Sequence, residues 1–247
     1  MNIAIVGTGA MGTVLKGLIE EKENMECVAF IEPMKGESLE DVENDIDVII
    51  DFSNPANLNK IDEFVRKKGC GVVFATTGFD ELQDVQIREL SRKVPVVKTA
   101  NFSLGITVMK KVIDIITPVL RDSFDMEIIE KHHNMKLDSP SGTAKLLADA
   151  MNPKKEYALI HGRTGNRKRA KEIGIHAIRG GTIAGEHTVL FAGEDEILEI
   201  KHTALSKKIF AAGALKAAEF VYERIITGIQ NEAVGVGLYD MDDVLFH

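Results

Sequence analysis

The stretch Met1-Asn2-Ile3-Ala4-Ile5-Val6-Gly7-Thr8-Gly9-Ala10-Met11-Gly12 at the amino terminus decides the fold. Its apolar run 2–6 predicts a buried β-strand, and apolar residues at helical spacing after Ala10 predict a helix over 10–21. Between the two stands G-x-G-x-x-G. Glycines at these positions let the chain turn tightly and bring the backbone close to a pyrophosphate without an intervening Cβ. The stretch therefore predicts a strand–turn–helix unit that binds a dinucleotide.

A carboxylate follows at the distance expected of a ribose-binding residue. Glu32 comes directly after the second apolar run, 27–31, and lies 20 residues beyond Gly12. A carboxylate accepts hydrogen bonds from the ribose hydroxyls of NAD and repels the 2′-phosphate of NADP. Pro33 stands next to it, and Lys35 is near enough in sequence to reach a 2′-phosphate. The pattern favours NADH and leaves NADPH open. The alternative is a tight turn followed by an exposed glutamate.

Strand and helix signals alternate through the first half of the chain. Further β-branched runs occupy 46–52, 70–75 and 94–97, and a helix is predicted from Pro55 to Lys68. Continuous apolar strands separated by helices are typical of a parallel sheet buried on both faces. This half is therefore predicted to be an α/β, Rossmann-type dinucleotide-binding domain.

The second half has a different pattern. A long helix is predicted over 105–121 and an alanine-rich helix over 206–226. The strand-like segments between them are 124–131, 173–179, 187–191 and 197–202. The last three follow one another without intervening helices, which predicts antiparallel pairing.

Composition excludes several classes of protein. The chain has 247 residues, of which 45% are hydrophobic and 28% charged, so it is too apolar to be disordered. A net charge of −8 argues against general binding to nucleic acids or anionic membranes. No apolar run approaches the ~18–20 residues of a membrane span. With only Cys27 and Cys70, the chain has no disulfide framework, and we expect a cytoplasmic protein.

The segment from Glu130 to Ala144, EKHHNMKLDSPSGTA, carries the densest chemistry. The adjacent His132 and His133 point to opposite sides if the segment is extended. Lys136 adds a cation, and Ser141-Gly142-Thr143 opens a predicted helix whose free amides favour a carboxylate. Because imidazoles titrate near neutral pH, the cluster predicts a site that holds an anion and moves protons.

Two other interpretations of the histidines are open. One is a polar strand end, hydrogen-bonded to Glu130 or Asp138. The other is a zinc site, but the cysteines are remote and no further spaced His/Cys set supports it. We expect no metal.

The same segment strongly resembles the signature of the dihydrodipicolinate reductases, or 4-hydroxy-tetrahydrodipicolinate reductases, of bacterial lysine and diaminopimelate synthesis. Further matching segments follow in order along the chain: FATTGF at 74–79, TANFS at 99–103, RGG at 179–181, GEHT at 185–188 and GLYDM at 237–241.

The resemblance implies a role for each matching residue. His132 is implied to be the proton donor or acceptor, Lys136 a second proton donor, and His133 a contact to the substrate. Gly142 and Thr143 are implied to hold a substrate carboxylate, beside Ser141. The implied cofactor-lining residues are Gly7, Thr8, Gly9, Ala10, Met11, Glu32, Ala75, Thr76, Thr77, Thr99, Ala100, Asn101 and Phe102. Pro33, Ala75 and Lys207 depart from residues that family members carry.

The resemblance also implies the reaction and the domain organisation. The expected reaction is NAD(P)H-dependent reduction of 4-hydroxy-tetrahydrodipicolinate, a cyclic dicarboxylate, to tetrahydrodipicolinate. Residues 1–103 and 207–247 would form the dinucleotide-binding domain. Residues 104–206 would form an α+β substrate-binding and oligomerisation domain with a mainly antiparallel sheet. A homotetramer is implied.

Two other functions fit the glycine-rich turn. One is another Rossmann-type amino-acid dehydrogenase, which would have no need of the His-His-Lys and Ser-Gly-Thr pairing. The other is a non-catalytic NAD-sensing module. The basic segment 161–171 has no interleaved aromatic residues, so it does not predict nucleic-acid binding, and its role is open.

Overall fold

The computed structural model of the protein describes residues 1–230 and 235–246. The chain divides into two compact units, residues 1–104 with 208–247 and residues 105–207. These boundaries lie within one residue of the expected domains, whose cofactor and substrate roles stay predictions. Residues 231–234 and 247 of the expected segment 207–247 lie outside the described residues.

Eleven strands and seven α-helices occur among the described residues. The strands are β1 (Asn2–Val6), β2 (Glu26–Ile31), β3 (Val48–Asp51), β4 (Gly71–Phe74), β5 (Pro95–Lys98), β6 (Asp125–His132), β7 (Ala158–His161), β8 (Glu172–Arg179), β9 (Gly185–Ala192), β10 (Ile197–Ala204) and β11 (Gly237–Tyr239). The helices are α1 (Ala10–Glu20), α2 (Leu58–Lys68), α3 (Glu81–Ser91), α4 (Leu104–Leu120), α5 (Gly142–Met151), α6 (Lys208–Gln230) and α7 (Met241–Phe246).

The first unit contains a six-stranded parallel sheet in the order β11-β5-β4-β3-β1-β2. The five strands predicted from the apolar runs are present, and the Rossmann-type α/β fold is confirmed. The strand order reverses between β1 and β3, so their carboxyl ends form the crevice where ligands bind in such sheets. The sixth strand, β11, has only three residues and was not predicted.

Strand β1 shows why this sheet is buried on both faces. Ile3 and Ile5 pack into one core cluster with residues of α1 and α6. Ala4 and Val6 point to the opposite face and pack with residues of α2 and α3. Side chains alternate across a strand, so a continuous apolar run supplies both layers.

The second unit contains a five-stranded sheet in the order β10-β9-β6-β8-β7. We expected mainly antiparallel pairing, but the sheet is mixed. Strand β9 pairs antiparallel with β10 and β6, whereas β8 pairs parallel with β6 and β7. Helix α5 returns the chain to β7, and segment 162–171 returns it again to β8, so β8 lies parallel to both β7 and β6. Helices α4 and α5 supply core residues to this sheet.

Two findings bear on the class of protein. Among residues 1–230 and 235–246, no helix has both the length and the apolarity needed to cross a membrane. Cys27 and Cys70 are not joined in a disulfide.

Candidate active site

The glycine-rich turn forms a cradle at the start of α1. Gly7 has φ +108°, and a Cβ there would lie 2.4 Å from the Phe52 carbonyl oxygen. A Cβ on Gly12 would lie 1.9 Å from the Gly7 carbonyl oxygen. Gly9, in contrast, has nothing within 4 Å of its Cβ position, and no side chain caps the helix here. Two glycines thus close the turn and the third faces open space, so the cradle fits a pyrophosphate on the helix amides.

Glu32 lies at the end of β2, as the spacing predicts for a ribose ligand. Its carboxylate accepts hydrogen bonds from the Met34 amide at 3.3 Å and from Asn57 Nδ2 at 3.4 Å. Lys35 Nζ donates to Thr8 Oγ1 at 3.3 Å, so this cation lies over the glycine-rich turn. The structure therefore brings the Glu32 carboxylate and the Lys35 ammonium to the glycine-rich turn.

The other predicted cofactor residues follow β4 and β5. A cavity of about 380 Å³ in the first unit is lined in part by Thr76, Thr77, Thr99 and Ala100. Asn101 Oδ1 accepts a hydrogen bond from the Ser103 amide at 2.8 Å, which orders this loop. The Phe102 side chain is 3% exposed and packs in the core, so its side chain does not line the cavity. A nicotinamide cofactor fits the residues at this edge of the sheet.

A buried carboxylate stands beneath the turn. Asp51, at the end of β3, accepts hydrogen bonds from the Ser53 amide at 3.1 Å and the Ser53 hydroxyl at 2.5 Å. Asn57 Nδ2 donates to Ser53 Oγ at 3.0 Å and thereby links this group to Glu32. Burial raises the pKa of Asp51 to about 6, although the Ser53 and Thr76 hydrogen bonds oppose the shift.

Strand β6 carries Glu130 and His132, of which His132 is the predicted proton donor or acceptor. Along it Met126, Ile128, Glu130 and His132 are buried, while the intervening residues are partly exposed. Glu130 lies opposite His187 of β9, and His132 lies opposite Arg179 of β8. The polar end of the buried face therefore adjoins two strands that bring a second imidazole and a guanidinium.

Glu130 is fully buried and organises this cluster. Its Oε2 accepts from His132 Nδ1 at 2.6 Å and from Arg179 Nη1 at 2.7 Å. Its Oε1 accepts from Arg179 Nη2 at 2.8 Å and from the Ser141 amide at 3.0 Å. Burial raises the pKa of Glu130, but the hydrogen bonds from Arg179, His132 and Ser141 outweigh it, and the net pKa lies below its usual value. Glu130 is thus held as a carboxylate.

Ser141 is the N-cap of α5, and Gly142 and Thr143 form its first turn. Ser141 Oγ accepts from the Ala144 amide at 3.1 Å and lies 3.0 Å from His187 Nε2. The His187 ring packs edge-to-face on His132 with centroids 5.1 Å apart. Burial and the neighbouring His132 lower the pKa of His187 to about 4, so His187 is neutral near pH 7. The helix start therefore rests on a polar but uncharged contact.

Lys136 lies beyond the end of β6, in the same segment as His133. Its Nζ forms an ion pair with Asp138 Oδ1 at 2.7 Å, and that pairing lowers the pKa of Asp138. Arg179 Nη2 donates to the Asp138 carbonyl oxygen at 2.7 Å. Arg179 therefore ties the segment that carries Lys136 to the Glu130–His132 pair.

The basic segment 161–171 has a structural role in the second unit. Arg163 and Arg167 pair with the buried Glu172, and Arg169 pairs with Asp125 and Glu127.

Within the part of the chain that the structure describes, no group of three or more His, Cys, Asp and Glu side chains is arranged to hold a metal ion.

Sequence reasoning missed part of the cluster. Arg179 and His187 were noted only as parts of motifs that match the family. Glu130 was considered only as a hydrogen-bond partner of the histidines in a polar strand end without a catalytic role. The signal that could have identified Glu130 as part of the cluster is its i, i+2 spacing from His132, which puts both side chains on one face of a strand.

Comparisons with known proteins cover both units. The family model described as "Dihydrodipicolinate reductase, N-terminus" matches residues 1–102, and that described as "Dihydrodipicolinate reductase, C-terminus" matches residues 105–245.

Curated relatives and a solved structure agree with these matches. A 4-hydroxy-tetrahydrodipicolinate reductase of Exiguobacterium sp. is 44% identical over 229 residues, with 91% of each chain covered. One from Clostridium novyi is 43% identical over 249 residues, covering 96% of this chain and 95% of that protein. The dipicolinate-bound dihydrodipicolinate reductase from Paenisporosarcina sp. TG-14 shares the fold, with a TM-score of 0.78 at 23% identity and coverage of 100% and 99%.

Proposed function

The chain belongs to the dihydrodipicolinate reductase family of oxidoreductases in lysine and diaminopimelate biosynthesis, and on this premise we propose that it reduces 4-hydroxy-tetrahydrodipicolinate to tetrahydrodipicolinate. Full-length identity above 40% sets aside an amino-acid dehydrogenase or a non-catalytic NAD-sensing module. The cofactor is a nicotinamide dinucleotide, which supplies the hydride when bound.

One observation carries the assignment of the site. A single buried carboxylate, Glu130, holds the His132 ring and the first backbone amide before α5. His132 is the proposed proton donor, and the start of α5 is the proposed carboxylate-binding site. The same carboxylate therefore supports the group that moves a proton and the group that holds the anion.

The proposed reaction takes up one hydride and one proton and releases the 4-hydroxyl group as water, because the product lacks that hydroxyl. Charge that develops on the substrate as hydride arrives is neutralised by a proton from His132, a contribution of roughly 10²–10⁴ in rate for a general acid. Lys136 is the second proposed donor. Its ammonium is paired with Asp138, and a substrate carboxylate would compete with Asp138 for that ammonium.

The proposed substrate is a cyclic dicarboxylate, and the site offers groups for its charges. Gly142 and Thr143 present the first amides of a ten-residue helix, where the helix dipole favours an anion. His133 and Ser141 are the further proposed substrate contacts. That a solved relative binds dipicolinate, a planar dicarboxylate, supports this class of ligand.

We propose NADH as the favoured cofactor because Glu32 stands where a ribose-binding carboxylate is expected. Lys35, through its contact with Thr8, supports additional use of NADPH. The remaining proposed cofactor contacts are those at the glycine-rich turn and at the loops after β4 and β5. A cytoplasmic location, supported by the unpaired Cys27 and Cys70, and a homotetramer complete the proposal.

Turnover of freshly generated substrate with NADH tests the site assignment. His132→Ala and Lys136→Ala should each lower kcat by about 10²-fold or more, because each removes a proposed proton donor. NADH binding should be unchanged in both variants. His176→Ala and Lys155→Ala are matched controls, since these residues pair with Glu127 and Asp149 outside the cluster. Unchanged kcat in both test variants would remove the assignment, as would a wild-type protein without turnover. Competitive inhibition by dipicolinate is expected in addition.

A further inference from the structure

We propose that Glu130 is a positioning residue of the reaction, which holds the His132 ring with its proton on Nδ1 and so presents Nε2 as the reacting nitrogen. This inference rests on the proposed function, because it gives His132 the role of proton donor. It adds Glu130, with its partner Arg179, to the residues on which the reaction depends.

In its hydrogen bond with the His132 ring, Glu130 can only be the acceptor. An ionised carboxylate has no proton to donate. Its two oxygens accept four hydrogen bonds, from His132 Nδ1, both terminal nitrogens of Arg179 and the Ser141 amide. The His132 nitrogen that faces it at 2.6 Å must therefore carry a proton. The neutral ring then has a free electron pair on Nε2, and the protonated ring has a transferable proton there.

A glycine lies beside Nε2 of the His132 ring. Gly185 is the first residue of β9, and a Cβ at this position would be 3.2 Å from Nε2. A larger side chain there would cover the nitrogen that the proposal makes reactive. The glycine leaves this space free.

Arg179 balances the charge of the carboxylate. The charged and titratable groups of the cluster that contains His132 are Glu130 of its own strand, Arg179 of β8, His187 of β9, His202 of β10 and Lys136 of the following segment. A lone carboxylate would favour the protonated ring strongly, and the bidentate guanidinium offsets this effect.

Glutamine at position 130 tests the charge and the direction of the hydrogen bonds. The amide replaces one oxygen by an NH₂ group, and either orientation points that group at a donor nitrogen of Arg179. Orientation toward His132 would also force the ring to the other tautomer. For Glu130→Gln we expect kcat to fall about 10- to 100-fold, a part of the general-acid contribution, with NADH affinity unchanged.

Strand β6 provides a matched control on its other face. Glu127 pairs with Arg169 and with His176 Nε2, so it repeats the same three residue types outside the cluster. Glu127→Gln should leave kcat unchanged. An equal loss of kcat in the two glutamine variants would overturn the proposal, because the effect would then be a general one on the sheet.

The pH dependence of kcat separates positioning from support of the fold. Loss of the Glu130 charge disfavours the protonated ring, so Glu130→Gln should move the pH of half-maximal kcat downward by about one unit. Arg179→Gln removes a positive charge and keeps an amide donor, so it should move the same midpoint upward. Shifts in the same direction, or no shift, would contradict the proposal.

Imidazole ¹⁵N spectra of the wild-type protein provide a test that needs neither turnover nor a variant of Glu130. The His132 signals are identified by their absence in His132→Asn. At high pH they should show the proton on Nδ1. A proton on Nε2 would overturn the proposal whatever the activity. If the ring has the expected tautomer but the substrate is not turned over, the proposed function fails and the positioning of His132 stands.

Discussion

Three glycines in α1 or directly before it differ in what an added methyl group would meet, and this difference yields a graded prediction. Gly17 is exposed on α1 with nothing within 4 Å of its Cβ position. Alanine there should stabilise the first unit by about 1 kcal/mol through helix propensity alone. The melting temperature should rise by about 2–4 °C, and NADH affinity should not change.

Gly9 and Gly12 should behave differently from Gly17. The Gly9 Cβ position is also open, but it faces the space that we assign to the pyrophosphate, so Gly9→Ala should keep the melting temperature and weaken NADH binding. At Gly12 the methyl carbon would lie 1.9 Å from the Gly7 carbonyl oxygen, where ordinary contacts are about 3.5 Å. The turn must move, and Gly12→Ala should cost about 1–3 kcal/mol of stability as well as NADH affinity.

Scanning calorimetry and NADH fluorescence titration measure the two quantities on the same preparations. The reasoning is refuted if Gly12→Ala melts at the wild-type temperature, since the overlap would then be relieved without cost. It is also refuted if Gly9→Ala binds NADH as tightly as Gly17→Ala does. The second result would place the cofactor phosphates elsewhere.

Two further predictions concern charge. Lys35→Ala should raise the KM for NADPH about 10-fold or more and leave the KM for NADH unchanged, because only the 2′-phosphate requires the cation over the turn. Steady-state assays with each cofactor measure this difference. Equal effects on both cofactors would exclude this role for Lys35. The pKa of His187 is about 4 in the folded state, against an ordinary value of 6.5. Between these two pH values the folded state binds fewer protons than the unfolded state. The stability that is present above pH 6.5 is therefore lost as the pH falls toward 4, by up to about 3 kcal/mol. Urea unfolding at pH 7 and pH 4.5 should show a smaller loss in His187→Asn than in the wild type, and an identical loss would assign the acid sensitivity to other groups.

Local signals predicted most of the parallel sheet of the first unit. The apolar runs predicted β1 to β5, and Gly69, with φ +77°, ends α2 where the pattern placed its end. The turn glycines and Glu32 follow the fixed geometry of a strand–turn–helix unit. The three-residue β11 was missed because it is too short for a periodic pattern, and it is ordered by pairing with β5.

The cluster in the second unit depends on contacts between distant parts of the chain. Glu130 and Arg179 are 49 residues apart, and Ser141 and His187 are 46 residues apart. The sequence predicted His132, Lys136 and the start of α5 as site residues because they stand close together in one motif. It could not identify the partners, since the pairing of β6 with β8 and β9 is set by the packing of the whole sheet. The expectation that β8 pairs antiparallel was wrong for the same reason, since its parallel neighbours β6 and β7 are set by contacts across the whole sheet.

The parallel pairing of β6 with β8 also determines when, during synthesis of the chain, Glu130 and His132 can reach their final arrangement. A nascent chain that has emerged only as far as α5 contains both histidines and the lysine, yet the guanidinium that neutralises Glu130 has not been synthesised. An unpaired buried carboxylate is costly, so the imidazole cannot take its working orientation until β8 has joined the sheet. The proposed proton-transfer site is therefore completed only when β8 pairs with β6, and a local opening of β8 in the mature protein would disrupt it while the motif itself stayed intact.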